Sequence, residues 1–160
     1  MTYPSGGFVQ IVDGAGHPAF RPLTTLRAQG LELRLRHHFF YAPHEIPGYL
    51  FDIHLGGRFA GTYSALIERD AGKIPEIGHV GILLERSFYG QRLPARATSA
   101  VLPLYRAHGI REVLITFDEA NRALESACSE LGATHLDTLL LDGRMSKKRY
   151  LLPVPMLVPA

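Results

Sequence analysis

The stretch from Gly78 to Gly132 constrains the fold more than any other part of the chain, because strand and helix patterns alternate within it. Ile77–Glu85 is apolar on both faces, which is typical of a strand at the centre of a sheet. Leu93–His108 and the segment 119–131 carry apolar residues at helical spacing, and Glu112–Phe117 is rich in β-branched residues. The sequence therefore predicts a strand–loop–helix–strand–helix unit.

The ends of both helices are marked in the sequence. Gly109 and Gly132 suit the left-handed conformation that ends a helix, and Asp118 can cap the start of the second helix. Pro103 lies inside the first helix, where an interior proline costs about 3 kcal/mol and is expected to kink it. The predicted buried faces are Leu93, Ala97, Val101, Leu104 and Tyr105 in the first helix, and Ala120, Leu124, Ala127, Cys128 and Leu131 in the second.

The flanking residues predict a mostly antiparallel sheet. Leu31–Phe40 begins with a strict alternation of apolar and charged residues, and Gly56-Gly57 is a two-residue hairpin signal. Residues 1–30 carry many glycines and prolines and are expected to be irregular apart from one short strand. The other predicted strands are Phe8–Val12, Tyr49–Leu55 after a break at Pro43 and Pro47–Gly48, Phe59–Ile67, Thr134–Leu141 and Tyr150–Val154.

Length and composition agree with a single mixed α/β domain over residues 1–160. The chain is 46% hydrophobic and 20% charged, which is ordinary for a globular protein. No apolar run is long enough to cross a bilayer, the N-terminus lacks the features of a signal peptide, and a single cysteine excludes an internal disulfide. We therefore expect a cytoplasmic protein that does not bind membranes.

Charge and motif patterns exclude several functions. The net charge is only +2, and the basic cluster Arg144–Arg149 is expected to be a solvated loop, so no nucleic-acid partner is expected. The chain has no GxxxxGK[ST] phosphate loop, no Gly-x-Ser-x-Gly elbow and no HExxH zinc motif. His37, His38 and His44 are expected to pack or lie at the surface rather than bind a metal.

The loop between the first strand and helix of the unit predicts an anion site. The strand ends at Glu85, the loop contains Gly90, and the helix begins near Leu93. Free backbone amides and the positive end of the helix dipole then point to one place. Arg92 and Arg96 add positive charge there.

Three short stretches of the unit match one known family. Gly78-His79-Val80-Gly81 stands at the entry of the first strand, Ile115–Asn121 reads Ile-Thr-Phe-Asp-Glu-Ala-Asn, and Glu130–Ala133 ends the second helix. Together they resemble the GNAT family of N-acetyltransferases over roughly residues 31–154. The resemblance implies a GNAT-like fold, with a central, mostly antiparallel twisted sheet of about six or seven strands flanked by helices. It also implies acetyl-CoA as co-substrate and makes residues 78–132 the cofactor-binding core.

The resemblance assigns roles to backbone and side-chain groups of this unit. The strand backbone would pair with the pantetheine amides, and one strand N–H would stabilise the tetrahedral intermediate. Loop and helix amides would bind the pyrophosphate, while Asn121 would bind the pantetheine arm or, alternatively, cap its helix. The implied cofactor-binding residues are Leu83, Leu84 and Glu85 on the strand, Gly90, Gln91, Arg92, Leu93, Ala95 and Arg96 at the loop, and Asn121.

The loop departs from the family pattern. Tyr89 stands where arginine is usual, Arg92 where glycine is usual, and Pro94 where glycine or alanine is usual. Proline offers no N–H but is comfortable in a first helical turn. The helix start is thus expected to be kept, with fewer donors for phosphate and with Arg92 and Arg96 compensating by charge.

Three side chains are candidates for proton transfer. His79 lies on the same strand face as Leu83 and has a suitable intrinsic pKa; a packing role is the alternative. Glu76 stands at the strand entrance, with a solvated carboxylate as its alternative role. Cys128 stands where many GNAT enzymes carry a tyrosine acid, although a buried thiol is usually inert.

These observations lead to two hypotheses. The first is an acetyl-CoA-dependent N-acetyltransferase that moves an acetyl group to a primary amine by direct attack. The alternative is a catalytically weak or inactive GNAT-like module that binds acyl-CoA or regulates a partner. The acceptor, whether a small molecule or a peptide amine, stays open. The apolar tail Leu151–Pro159 also suggests an edge strand or a partner-facing arm, and a homodimer would use it.

Overall fold

The computed structural model describes residues 9–12, 14–42, 44–141, 143 and 145–155. This part of the chain contains nine β-strands and two α-helices, which confirms the mixed α/β class. In chain order they are β1 (Val9–Val12), β2 (Thr25–Ala28), β3 (Leu31–Tyr41), β4 (Ile46–Leu55), β5 (Arg58–Leu66), β6 (Val80–Leu84), α1 (Leu93–Ala107), β7 (Glu112–Asp118), α2 (Arg122–Leu131), β8 (Thr134–Leu141) and β9 (Met145–Pro153).

The strands form two antiparallel sheets. The larger sheet has the order β1-β3-β4-β5-β6, with β2 also paired to β3, and the smaller has the order β7-β9-β8. Gly56 and Gly57 join β4 to β5 with φ angles of 58° and 80°. Positive φ at both positions is what the type I′ turn of a two-residue hairpin requires, so the hairpin prediction is confirmed.

The two sheets meet where β6 begins. The His79 N–H donates to the carbonyl of Leu114 on β7 at 2.8 Å, and beyond this point the two strands are not paired. The prediction of a central strand over Ile77–Glu85 is therefore wrong in position, because β6 is shorter and forms one end of the larger sheet. Its apolar residues line an opening between the sheets, which explains why the sequence of this strand is apolar on both faces.

The main core lies between the larger sheet and α1. The predicted apolar face of α1 is buried throughout, with Val101 and Tyr105 fully enclosed. The helix continues past Pro103 to Ala107. Gly109 and Gly132 follow the helices with φ angles of 77° and 78°, as predicted from their positions.

Two segments that were not predicted as strands belong to strands. Pro47 and Gly48 lie inside β4, where a Cβ on Gly48 would come within 2.2 Å of the Phe39 ring; this glycine makes room for an aromatic side chain rather than a turn. β2 lies within the segment that was predicted to be irregular and forms a hairpin with β3 around Gly30. Local composition cannot reveal either pairing, because both depend on a neighbouring strand.

The C-terminal apolar segment also has a different position from the one predicted. β9 begins at Met145 and runs between β7 and β8 as the central strand of the smaller sheet. Leu152 and Val154 are buried, so Leu151–Pro153 is neither an edge strand nor an arm. Residues 156–159 of the predicted tail lie outside the described residues. Among those described, no helix has the length and apolar character needed to cross a membrane.

Candidate functional site

The opening between the two sheets is a cleft with two connected lobes. The α1 lobe, about 600 Å³, runs from β6 to the start of α1 at Leu93 and Pro94. The β5 lobe, about 270 Å³, opens beside Ser64 and Leu66 on the other side of the sheet. Both lobes are lined by Ile82 and Leu83 of β6 and by Asn121 and Leu124 at the start of α2.

The β6 edge of the cleft presents unpaired backbone groups. The Glu85 N–H donates to the carbonyl of Ala60 at 2.8 Å. Since hydrogen-bonded positions alternate along an antiparallel pair, Leu83 also faces β5, whereas Ile82 and Leu84 face the cleft. Of the three strand residues predicted to bind pantetheine, only Leu84 presents its backbone to the cleft. Ile82 was missed, because this alternation is known only once the pairing partner is known.

The β7 edge faces β6 across the same cleft. The Val154 N–H donates to the Arg111 carbonyl at 2.8 Å, and the resulting alternation turns the backbone of Leu114 and Thr116 towards β6. Leu114 bonds to His79, as described above. The cleft therefore has an open strand edge on each side, at Ile82 and Leu84 and at Thr116.

The loop before α1 keeps the form of an anion site. Gly90 and Arg92 have φ angles of 83° and 58°, and the Arg96 N–H donates to the Arg92 carbonyl at 3.1 Å to close the first turn. The amides of Leu93 and Ala95 precede this bond and have no acceptor within the helix. Pro94 lies in the first turn, where its missing N–H costs no helical hydrogen bond.

The two arginines are not both available to an anion. Arg92 donates to both carboxylate oxygens of Glu130, at 2.7 and 2.6 Å, and this hydrogen bond holds the pKa of Glu130 below its usual value. The pair neutralises the positive charge of Arg92, one of the two charges that were predicted to compensate for the altered loop. Arg96 donates to the Gln29 carbonyl at 3.0 Å and to the Gln91 carbonyl at 3.5 Å, so it keeps its charge while its guanidinium lies against the loop.

Asn121 caps α2. Its Oδ1 accepts from the Leu124 N–H at 3.1 Å, and Asp118, which was predicted to be the cap, instead closes the preceding turn by accepting from the Ala120 N–H at 2.8 Å. Asn121 nevertheless lines both lobes. Its Nδ2 group is a donor that capping does not use.

His79 is buried, with 1% of its surface exposed, and both ring nitrogens are hydrogen-bonded. Nδ1 accepts from the Leu114 N–H at 2.8 Å, so Nε2 carries the proton and donates it to the Glu68 carbonyl at 2.7 Å. Burial holds the pKa of His79 below its usual value of 6.5. The ring has no free lone pair, so the geometry favours a structural role over proton transfer.

Cys128 and Glu76 lie in opposite environments. Cys128 is fully buried and lines neither lobe of the cleft; burial, followed by the charge of Glu125, raises the pKa of its thiol to about 12. Such a thiol is too weak an acid to protonate a departing thiolate, whose conjugate acid has an ordinary pKa of about 8.5. Glu76 is exposed next to Ile77, which lines the β5 lobe.

Solved structures of acetyltransferases share this fold. RimL, a ribosomal L7/L12 α-N-protein acetyltransferase in complex with coenzyme A, matches with a TM-score of 0.56 and 20% identity, over 67% of this chain and 62% of RimL. MccE, a microcin C7 self-immunity acetyltransferase bound to acetyl-CoA and AMP, matches with a TM-score of 0.55 and 18% identity, over 67% of this chain and 61% of MccE. The chain thus spans less than two thirds of the length of either protein.

A third structure, of an acetyltransferase whose substrate is not named, matches over more of the chain. It has a TM-score of 0.63 and 15% identity, and the match covers 84% of this chain and 88% of that one. No protein-family model and no curated protein matches the chain. The structural matches confirm the predicted GNAT-like fold.

Proposed function

We propose that this protein is an acetyl-CoA-dependent N-acetyltransferase that acts on a primary amine. The observation that carries the proposal is the pair of open strand edges, at Ile82 and Leu84 and at Thr116, on either side of a cleft that begins at the start of α1. An extended ligand with amide groups can add to an open strand edge as another strand would. The pantetheine arm of coenzyme A is such a ligand, and its phosphates suit the amides of a helix start.

The cofactor would enter through the α1 lobe. Its pyrophosphate would lie against the amides of Gly90, Gln91, Leu93 and Ala95, with Arg96 supplying nearby charge. The pantetheine amides would pair with the backbone of Ile82 and Leu84, and Asn121 Nδ2 would donate to the arm from the other side. The acetyl group then reaches the junction of the two lobes, where a β6 N–H could stabilise the oxyanion. RimL and MccE, which share the fold, bind coenzyme A or acetyl-CoA.

The acceptor amine would enter from the β5 lobe. Its neutral nitrogen attacks the thioester carbonyl carbon, and the tetrahedral intermediate collapses as the carbon–sulfur bond breaks. The nitrogen loses a proton as the amide forms, and the departing thiolate takes up one proton, so that free thiol is released. Of the three predicted proton-transfer residues, Glu76 is the one whose side chain stays exposed near this lobe. We propose that its carboxylate removes the proton from the ammonium group, through water.

Two measurements test the proposal in sequence. Calorimetry with acetyl-CoA first establishes binding, and release of free thiol is then followed against a panel of primary amines. We expect binding and amine-dependent thiol release, and we expect Glu76→Gln to lower kcat by about 10²-fold, which is typical of a lost general base. Glu112→Gln, which changes an exposed carboxylate at the far end of β7, is the matched control. Absence of acetyl-CoA binding at millimolar concentration would overturn the proposal.

A binding module without turnover is the second candidate. It is favoured by the Arg92–Glu130 pair, which removes one positive charge from the anion site, and by the hydrogen-bonded state of His79. It predicts acetyl-CoA binding without thiol release for any amine in the panel. The same two measurements therefore separate the two candidates.

A further inference from the structure

We propose that His79 is a positioning residue, which sets the opening of the cleft by locking the start of β6 to β7. Every polar group of this residue is engaged. Its N–H donates to the Leu114 carbonyl at 2.8 Å, and its carbonyl accepts from the Leu66 N–H at 3.0 Å and from the Tyr105 hydroxyl at 2.9 Å. With the two ring contacts already described, His79 ties β6 to the end of β5, to α1 and to β7.

The imidazole replaces one rung of a β-ladder. In a continuous sheet the Leu114 N–H would bond to a backbone carbonyl of the neighbouring strand. The His79 carbonyl is instead turned towards Leu66 and Tyr105, and Nδ1 of its ring accepts from Leu114. Leu114 is thus held by two bonds to one residue, and the ladder ends there. The strands separate immediately after this bond.

Gly78 makes the close approach of the two strands feasible. Its φ angle is 69°, and a Cβ at this position would lie 2.6 Å from the Leu114 carbonyl oxygen. A side chain here would push β6 away from β7 at the point where His79 joins them. Two adjacent residues therefore define the vertex of the cleft, one by its ring and one by the absence of a side chain.

The position of the vertex determines the geometry further along the cleft. Val80 and Ile82 follow His79 on β6, and Thr116 lies two residues beyond Leu114 on β7. A thioester between these edges is aligned with a β6 N–H only if the strands diverge at a fixed place, and misplacement by about 1 Å can cost about 10²-fold in rate. The amides proposed to bind phosphate lie at the start of α1, after the end of β6, whereas the vertex lies before the first residue of that strand. The loss of His79 should therefore lower kcat more than it changes the KM for acetyl-CoA.

Three variants of the full chain test this role. His79→Leu removes both ring contacts, whereas His79→Asn places Oδ1 as many bonds from Cα as Nδ1 and so keeps an acceptor for Leu114. His38→Asn is the matched control, because His38 is also buried and its Nδ1 also accepts a backbone N–H, from Gly14 at 3.1 Å. We expect amide hydrogen exchange at Leu114 to be at least about tenfold faster in His79→Leu, to be largely restored in His79→Asn and to be unchanged in His38→Asn.

The kinetic measurement rests on the proposed acetyl transfer, but the exchange measurement does not. With acetyl-CoA and an amine that the wild type accepts, we expect His79→Leu to lose about 10²-fold in kcat with the KM for acetyl-CoA changed less than about threefold, and His79→Asn to recover most of the loss. If the wild type transfers no acetyl group, the proposed function is wrong. The rate of amide exchange at Leu114 then tests the positioning role of His79 without the kinetic measurement. Unchanged Leu114 exchange in His79→Leu, or no recovery by His79→Asn, would overturn the role of His79.

Discussion

At the scale of single residues, burial decides which candidate side chains can take part in proton transfer. His79 and Cys128 both carry ionisable groups and both lie within residues 78–132, the predicted cofactor-binding core. Each is buried, and burial disfavours the charged form of either group. Glu76 stands at the strand entrance and remains exposed. The sequence could name all three residues, but only their packing distinguishes a structural histidine from an accessible carboxylate.

The burial of His79 predicts a pH dependence of stability. Because its pKa is lower in the folded protein than its usual value of 6.5, the folded state favours the neutral ring. The resulting stability is fully present above about pH 6.5 and is lost as the pH falls through the folded pKa. A protonated Nδ1 would become a donor facing the Leu114 N–H. Glu68 opposes this shift, and the Tyr105 ring packs edge-on at 5.9 Å.

Urea unfolding between about pH 5 and pH 7.5 measures this effect. We expect the free energy of unfolding of the wild type to fall towards pH 5 more steeply than that of His79→Asn, which has no ring to protonate. His108, whose pKa is also lowered by burial, is present in both proteins and cancels in the comparison. Parallel pH curves for the two proteins would contradict the prediction.

Asn121 has two roles that substitution can separate. Serine is as good a helix cap as asparagine, so Asn121→Ser should keep the stability of α2 while losing the Nδ2 donor. Asn121→Ala should lose both the helix cap and the Nδ2 donor, and the loss of the cap should cost about 1 kcal/mol of stability. We expect both variants to weaken acetyl-CoA binding to a similar extent, which calorimetry measures, whereas thermal unfolding distinguishes them. Wild-type affinity in Asn121→Ser would show that Nδ2 does not contact the cofactor.

At the scale of elements, the altered loop and α2 are linked by an ion pair. Arg92 lies at the N-cap of α1, and its partner Glu130 lies in the last turn of α2. Both side chains are partly exposed, with 70% and 35% of their surfaces accessible. Exposed pairs of this kind contribute little to stability, usually less than about 1 kcal/mol. The pair therefore matters more for the charge of the anion site than for the fold.

Breaking this pair predicts tighter cofactor binding. Glu130→Gln frees Arg92 beside the amides that precede the first turn of α1 and removes a negative charge nearby. We expect the Kd for coenzyme A to fall by a few fold, and the gain to shrink at high salt, because exposed charges are screened. Glu125→Gln, in the same helix, is the control: its carboxylate pairs with Lys148 rather than with the loop. Equal affinities for wild type and Glu130→Gln would show that the anion does not sense Arg92.

At the scale of the whole molecule, the C-terminal strand completes the smaller sheet. β9 pairs with both β7 and β8, and Leu152 is almost fully enclosed. Without this strand β7 would have no partner in its own sheet, and one wall of the cleft would be lost. β9 thus supports one wall of the candidate site although it contains none of the predicted site residues.

Truncation after Tyr150 should therefore prevent folding, not merely change an assembly. Deletion of Leu151–Pro153 removes hydrogen bonds to β7 and to β8 and a buried leucine.

The milder change Leu152→Ala should cost about 2–5 kcal/mol of stability, which urea unfolding measures. The control Leu140→Ala, at a side chain that is 69% exposed, should cost much less. A truncated protein with wild-type stability would contradict this role of β9. A homodimer remains a prediction, which the molecular mass in solution would decide.

The elements that depend on local pattern can be predicted from the amino-acid sequence. The alternation in β3, the Gly56-Gly57 hairpin, the apolar face of α1 and the glycines after both helices were predicted because each follows from periodicity or from a positive φ angle. Features that depend on contacts between distant residues are visible only in the folded protein. The separation of β6 from β7, the pairing that turns Ile82 rather than Leu83 to the cleft, the Arg92–Glu130 pair and the hydrogen bonds of His79 are of this kind. Burial and hydrogen-bond partners are set by neighbours far away in sequence, and these decide which backbone amides and side chains remain available for chemistry.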